Sequence, residues 1–91
     1  MIEQIRCIVR GRVQLVMYRD FACRKGKGLL LAGYAKNMPG GSVEVVAQGP
    51  RAALERFIVK LRKGSLLSRV DDVAVQWQEP SARYEGFTIL Y

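Results

Sequence analysis

Apolar and polar residues alternate along the first stretch of the chain with the period of a β-strand. Over residues 3–13, one side carries Ile5, Cys7, Val9 and Val13, and the other carries Gln4, Arg6, Arg10 and Arg12. A period of two is typical of a strand with one buried face. The alternation breaks over residues 14–19, and we predict a connecting loop there.

A short helix is predicted over about residues 20–29. Asp20 suits its first turn, where the helix dipole favours negative charge. Gly26 and Gly28 weaken the helix, because each glycine costs about 1 kcal/mol relative to alanine. Small residues on a helix face would also let the helix pack closely against a sheet.

Two short strands joined by a tight turn are predicted next. Residues 34–37 form the first predicted strand, and residues 42–48 alternate as the second. Between them, the sequence Met-Pro-Gly-Gly at residues 38–41 is a strong turn signal. The pattern therefore predicts a β-hairpin.

A second helix has the clearest pattern in the chain. Its apolar residues recur at the spacing of one helix face, and they are Leu54, Phe57, Ile58 and Leu61. Pro50 suits the first turn of this helix. Gly64 stands where a left-handed residue would end it. We expect the apolar stripe to belong to the core.

Two further strands complete the predicted fold. Alternating residues mark them, namely Val73, Val75 and Trp77 in one and Phe87, Ile89 and Tyr91 in the other. The order β-α-β-β-α-β with a short terminal strand is the split βαβ, or ferredoxin-like, pattern of the α+β class. We expect one domain over residues 1–91, with an antiparallel sheet of four to five strands and two helices on one face.

Composition narrows the classes of function. The 91 residues include 15 basic and 8 acidic side chains, a net charge of +7, which favours anionic partners. The chain has no histidine, and this excludes Ser-His-Asp catalysis, Cys-His catalysis and histidine-zinc sites. Any reaction must therefore depend mainly on positioning and charge.

The sequence shows no membrane or secretion signal. No apolar run approaches the roughly 20 residues that a membrane span needs, and residues 1–6 do not resemble a signal peptide. We expect a cytoplasmic protein with no membrane partner. Cys7 and Cys23 could form one disulfide, but a buried strand and a helix favour free thiols that pack as small apolar groups.

The loop before the first helix could bind an anion. The first N–H groups of a helix have no partner within it, and a loop that curls before them can aim several at one point. Arg19 would add a planar, permanently charged guanidinium that suits phosphate oxygens. On composition alone, a solvated surface arginine is the alternative.

Several short segments, taken in order, resemble a known family. Residues 11–19, Gly-Arg-Val-Gln-Leu-Val-Met-Tyr-Arg, resemble the acylphosphatase signature G-x-V-Q-G-V-x-[FY]-R. Residues 33–37 are similar to its G-[WY]-V-x-N segment, and residues 41–44 to its G-x-V-E turn. The Gly-Pro pair at residues 49–50 and the aromatic ending at residues 87–91 also match. Each piece alone is weak, but the ordered set is specific and covers nearly the whole chain.

The resemblance implies hydrolysis of acyl phosphates, which are carboxyl-phosphate anhydrides, to a carboxylate and inorganic phosphate. It assigns the phosphoryl group to Arg19 and loop N–H groups, and the attacking water to Asn37. The implied phosphate-binding loop consists of Gln14, Leu15, Val16, Met17, Tyr18 and Arg19. Members of the family need no metal or other cofactor. We expect a small anionic acyl phosphate as substrate, phosphate or sulfate as a site ligand, and a monomer.

Two leucines depart from the family pattern. Leu15 stands where the signature has glycine, and Leu30 stands where the family often has the glycine of a Leu-Gly-Leu run. Glycine adopts positive φ freely, whereas leucine resists it. If the loop requires a left-handed residue, Leu15 should strain or remodel it. At the helix end, either Gly28 provides an earlier stop or Leu30 adopts the costly geometry.

Two alternatives to an active hydrolase follow from the same residues. Leu15 could leave an acylphosphatase-like domain that binds anions but turns over poorly. The positive charge and the split βαβ pattern would also suit a nucleic-acid-binding domain. RNA-binding sheets, however, present aromatic residues on central strands for base stacking, and residues 42–48 contain none. We therefore do not expect nucleic acid as a partner.

Overall fold

Five strands and two helices make up the fold. The computed structural model describes residues 1–91. In chain order, the elements are β1 (Glu3–Arg12), α1 (Tyr18–Gly28), β2 (Ala32–Asn37), β3 (Val43–Gly49), α2 (Arg51–Lys63), β4 (Arg69–Gln78) and β5 (Phe87–Leu90). The predicted order of elements is confirmed. Neither α1 nor α2 has the length or the apolar character of a membrane-spanning helix.

The sheet is mixed, with the strand order β4-β1-β3-β2-β5. All pairs among β1 to β4 are antiparallel, as predicted, but β5 pairs with β2 in parallel. The expectation of a wholly antiparallel sheet is therefore corrected at one edge. β4 finishes at the end of the sheet where β2 begins, and the chain crosses there to the opposite edge, so β5 runs in the direction of β2.

One face of the sheet and both helices enclose a single core. The predicted stripe on α2 is buried in it together with apolar residues of β1 and β3; these residues are Leu54, Phe57, Ile58, Leu61, Ile5, Cys7, Val9, Val43, Val45 and Ala47. Gly26 brings α1 close to β5, because a Cβ on Gly26 would overlap the ring of Phe87. The expected role of a small residue in close packing is thus confirmed.

The C-terminus of α1 is closed by a Schellman motif with Leu30 in the left-handed position. The N–H of Leu31 donates to the carbonyl of Gly26 at 2.9 Å, and the N–H of Leu30 donates to that of Lys27 at 3.0 Å. These are the two hydrogen bonds of the motif. Leu30 has φ 59°, so of the two alternatives at this helix end, the leucine adopts the costly geometry.

α2 begins one residue after Pro50. Pro50 is the N-terminal cap, with φ −63° and ψ 145°, rather than a residue of the first turn as predicted. The carbonyl of Pro50 accepts a hydrogen bond from the N–H of Leu54 at 3.1 Å, so the extended proline still starts the helix. Gly64 ends the helix with φ 76° and ψ −176°. The φ is positive, as expected of a glycine here, but this ψ lies outside the left-handed helical region, so the predicted left-handed cap is not formed.

The face of the sheet away from the helices carries a network of paired polar groups. Arg6 forms an ion pair with Glu44 at 2.6 Å, and the hydroxyl of Tyr34 donates to the same carboxylate at 2.9 Å. Burial, followed by the hydrogen bond to Glu44, raises the pKa of Tyr34 to about 12. Gln48 donates to Gln4 at 2.8 Å. Polar side chains that are partly removed from water need hydrogen-bond partners within the protein, and these residues provide them for one another.

Both cysteines are free and buried, as predicted. Burial raises the pKa of the Cys7 thiol to about 12. Burial also raises the pKa of Cys23, although the Lys27 ammonium opposes the shift. Because a protonated thiol is a poor nucleophile, both residues serve as small apolar groups of the core.

Candidate active site

The start of α1 and the ends of β2 and β5 meet at one end of the sheet, because β2 and β5 run in parallel. A pocket of about 390 Å³ lies between them. It is lined by Val13, Leu15, Met17, Tyr18, Arg19, Asp20, Asn37, Ile89 and Tyr91. Arg19 and Asn37, which are far apart in the sequence, therefore line the same pocket.

The loop between β1 and α1 has free N–H groups and a strained backbone. The N–H groups of residues 15–19 donate no hydrogen bond to other backbone atoms. Leu15 and Met17 both have φ 61°, a left-handed conformation that costs about 1–2 kcal/mol for such residues. Leu15 thus adopts the conformation that glycine takes easily, and the strain expected for it is present. The sequence pattern did not indicate the second strained residue, Met17.

Gln14 fastens this loop to the hairpin of β2 and β3. Its side-chain amide donates to the carbonyl of Met38 at 2.9 Å and to that of Ser42 at 2.8 Å. Met38 directly follows Asn37, so the bond couples the loop to the end of the strand that carries Asn37. The side chain of Gln14 is thereby engaged with the hairpin and does not line the pocket.

Val16 and Tyr18 attach the loop to the core. Val16 is half-buried against the core, and Tyr18 is fully buried, with its hydroxyl donating to the carbonyl of Leu61 at 2.8 Å. Burial, and to a lesser degree the charge that Cys7 would carry, raises the pKa of the Tyr18 phenol. Tyr18 therefore stays neutral and anchors the start of α1 on α2.

Two residues at the end of β5 hold the side chain of Arg19. Its Nη1 donates to the carbonyl of Leu90 at 3.2 Å, and its guanidinium carbon lies 4.9 Å from the centroid of the Tyr91 ring. A cation over an aromatic face is attracted to it, and one hydrogen bond leaves most of the five guanidinium donors free. Arg19 is thus oriented while it keeps donors available to a ligand.

Sequence reasoning missed the contact of Tyr91 with Arg19. The alternation of Phe87, Ile89 and Tyr91 does indicate that their side chains share one face. It does not indicate that β5 pairs in parallel with β2, and only that pairing brings Tyr91 to the start of α1.

Asn37 lines the pocket and carries an unpaired acceptor. Its amide oxygen is buried and accepts no hydrogen bond within the protein. Leaving such an acceptor unpaired costs about 1–3 kcal/mol, so a donor placed against it would be stabilised. The lining of the pocket therefore includes a cation, Arg19, and an amide, Asn37, whose buried oxygen lacks a partner.

One acidic side chain, that of Asp20, lies in the pocket lining. Its Oδ2 accepts from Nε of Arg24 at 3.1 Å, and this exposed ion pair partly offsets the negative charge beside Arg19. Arg12 and Lys36, on the strands that lead to the site, are exposed. No group of three or more cysteine, aspartate or glutamate side chains lies together in a way that could hold a metal ion.

Comparison with known proteins assigns the family. The acylphosphatase family model matches residues 5–89. The chain belongs to the acylphosphatase family. The matched range contains the whole β1–α1 loop, Arg19 and Asn37, so the resemblance first indicated by short segments extends over almost the entire chain.

Similar acylphosphatases match in sequence and in fold. An acylphosphatase of Thermus thermophilus is 52% identical over 82 residues, which cover 90% of this chain and 92% of that protein. The crystal structure of the acylphosphatase from Bacillus subtilis matches with a TM-score of 0.94 and 38% identity over 100% of both chains. An acylphosphatase structure from Coxiella burnetii matches with a TM-score of 0.91 and 29% identity, covering 98% of this chain and 93% of that one. These relationships support an acylphosphatase enzyme.

Proposed function

We propose that this chain hydrolyses small acyl phosphates to a carboxylate and inorganic phosphate. Arg19 and the N–H groups of residues 15–19 bind the phosphoryl group, and Asn37 orients the attacking water. The observation that carries the proposal is the single pocket lined by both Arg19 and Asn37. The family supplies the class of reaction.

Fixed positive charge would bind the phosphoryl oxygens. The guanidinium of Arg19 is a planar fork that matches such oxygens, and its contacts with Leu90 and Tyr91 limit its motion. The unpartnered N–H groups at the start of α1 add the positive end of the helix dipole. Phosphoryl transfer depends mainly on positioning and electrostatic stabilisation, which these groups can provide without a protein nucleophile.

The water would be held by the unpaired amide oxygen of Asn37. As the water oxygen bonds to phosphorus, the bond from phosphorus to the bridging oxygen breaks, and its electron pair leaves with the carboxylate. An amide is not a base, so the proton of the water passes to a phosphoryl oxygen of the substrate. A carboxylate is a good leaving group and needs no protonation by the enzyme.

Phosphate release from acetyl phosphate, measured with a chelator present, tests this assignment. We expect Arg19→Ala and Asn37→Ala each to lower kcat/KM by at least about 100-fold, the usual effect of removing one group that stabilises a transition state. Arg56→Ala is the control, since Arg56 is exposed on α2 and away from the pocket. Turnover at the wild-type level in both site variants, with folding intact, would contradict the assigned roles.

The strain at Leu15 favours a second candidate, an anion-binding domain with weak turnover. With φ 61°, Leu15 occupies a conformation that glycine would relieve. Under this alternative, Leu15→Gly should raise the affinity for inorganic phosphate and increase kcat/KM for acetyl phosphate by about tenfold or more, an effect worth about 1.4 kcal/mol. Equal affinity and turnover in the two proteins would favour the active hydrolase.

A further inference from the structure

The mouth of the pocket beside Arg19 is apolar. Leu15, Met17 and Tyr91 all line it, and their side chains are 100%, 70% and 95% exposed, respectively. Ile89 extends the same lining towards the core. Side chains this exposed add little to the core, yet they surround the place where the proposed substrate would be bound.

Leu15 occupies its position at a conformational cost that its own packing does not offset. Glycine would adopt φ 61° there without steric hindrance, whereas the leucine side chain resists this conformation and is fully exposed. Removing apolar surface from water is favourable. A ligand with an apolar part would supply the contact that the protein itself does not give Leu15.

We infer that Leu15 and Met17, together with the ring of Tyr91, bind the acyl group of the substrate. The chain therefore prefers acyl phosphates whose acyl group is bulky and apolar, either aromatic or branched alkyl, over acetyl phosphate. The inference rests on the proposed function, because the phosphoryl group bound at Arg19 determines where the acyl group lies. The pocket, of about 390 Å³, is within the range of sites that hold small organic ligands.

Charge in the pocket also restricts the acyl group. Besides Arg19, the only charged side chain in the lining is that of Asp20. With the guanidinium engaged by the phosphoryl group, a free carboxylate on the acyl group would meet the acidic side chain of Asp20 and no other basic side chain of the lining. Like charges repel, so the favoured acyl group is uncharged.

The ratio of kcat/KM for benzoyl phosphate to that for acetyl phosphate tests the inference. The variant is Leu15→Asn, because asparagine tolerates the left-handed conformation but offers no apolar surface. The matched control is Leu30→Asn, since Leu30 has φ 59° and is 91% exposed, but lines a different pocket. The intrinsic reactivities of the two substrates, and any general change in phosphate binding, cancel in the ratio.

We expect Leu15→Asn to lower the ratio by about five- to tenfold, the effect of losing part of an apolar contact, mainly through a higher KM for benzoyl phosphate. Leu15→Gly should lower it similarly, and Leu30→Asn should leave it unchanged. Hydrolysis of both substrates with the wild-type ratio in both Leu15 variants would overturn the inference alone. Hydrolysis of neither substrate by the wild-type chain would overturn the proposed function and the inference with it.

Discussion

The two ends of α1 each contain an exposed leucine in the same left-handed conformation, but the hydrogen bonding around them differs. Leu30, after the C-terminus, has φ 59° and lies in a Schellman motif whose two bonds are both made. Leu15, before the N-terminus, has φ 61° and lies in a loop whose N–H groups make no backbone bonds. Both leucines have the same backbone strain, but the N–H groups are hydrogen-bonded around Leu30 and unpaired around Leu15.

Backbone strain therefore has a different consequence at each end of α1. Around Leu30 the strained residue completes the helix end, so its cost is a matter of stability alone. Around Leu15, the backbone N–H groups next to Arg19 stay unpaired. Backbone strain of this kind is often found at sites that bind ligands. The two ends therefore predict different outcomes for similar substitutions.

The largest contrast is expected from Arg19→Lys at the N-terminal end. Lysine keeps the charge but loses the planar fork and its position on the ring of Tyr91. We expect kcat/KM for acetyl phosphate to fall by about 100-fold while the free energy of unfolding changes little. Arg56→Lys, on the exposed surface of α2, is the matched substitution and should retain full activity. A lysine variant that retains wild-type kcat/KM would mean that charge alone matters at this position.

The next effect belongs to the C-terminal half of α1 and concerns stability. In Gly26→Ala the new methyl group would overlap the ring of Phe87, and overpacking of this kind costs about 1–3 kcal/mol. Gly28→Ala is the control two residues away, where nothing lies within 4 Å, and it should stabilise the helix by up to about 1 kcal/mol. Urea unfolding measures both. Equal stability of the two variants would show that α1 can move away from β5 without cost.

Substituting glycine for each of the two leucines compares them directly. Leu30→Gly should raise the free energy of unfolding by about 1 kcal/mol, since it removes the left-handed strain but gives the unfolded chain more freedom. That gain corresponds to a rise in Tm of about 4–8 °C for a domain of this size. Leu15→Gly should give a similar gain and, in addition, change the kinetics with benzoyl phosphate. If Leu30→Gly alters kinetics as well, the two ends do not act separately.

The smallest expected effect is the pH dependence of stability that arises from Cys7. In the folded protein, burial raises the pKa of the Cys7 thiol from its ordinary value of 9.0 to about 12. Between these values the unfolded chain binds fewer protons than the folded one, so stability falls as pH rises. From pH 8 to 9.5, Cys7 should account for a loss of less than about 1 kcal/mol. Cys7→Ala should make the free energy of unfolding less dependent on pH over this range. If the slope against pH is unchanged in the variant, other groups are responsible for it.

Local pattern was enough to predict most of the fold. The stripe on α2 and the alternation in β1 depend only on which residues can be buried, and both are where the periodicity indicated. The parallel pairing of β5 was missed because an alternating strand carries no signal for the direction of its neighbour. That direction follows from where β4 ends, which is a property of the whole chain.

The candidate site was predicted in part for the same reason. Arg19 and Asn37 could be named from motifs that resemble the family, and the strain at Leu15 followed from a leucine in a glycine position. The bonds of Gln14 to the hairpin and the contact of Tyr91 with Arg19 join segments that are distant in sequence. No local pattern indicates such contacts, because they depend on the finished strand order.

That strand order also shapes how the molecule must fold. β1 lies between β3 and β4, so Cys7 is paired with Val45 on one side and with Val75 on the other. Pairings between such distant segments make folding slow. Until β4 arrives, β1 has an unpaired edge, and an exposed edge of this kind can pair with another chain. During refolding, pairing of β4 with β1 therefore competes with pairing of β1 to a second molecule. Aggregation should increase with protein concentration, because only the second process depends on it.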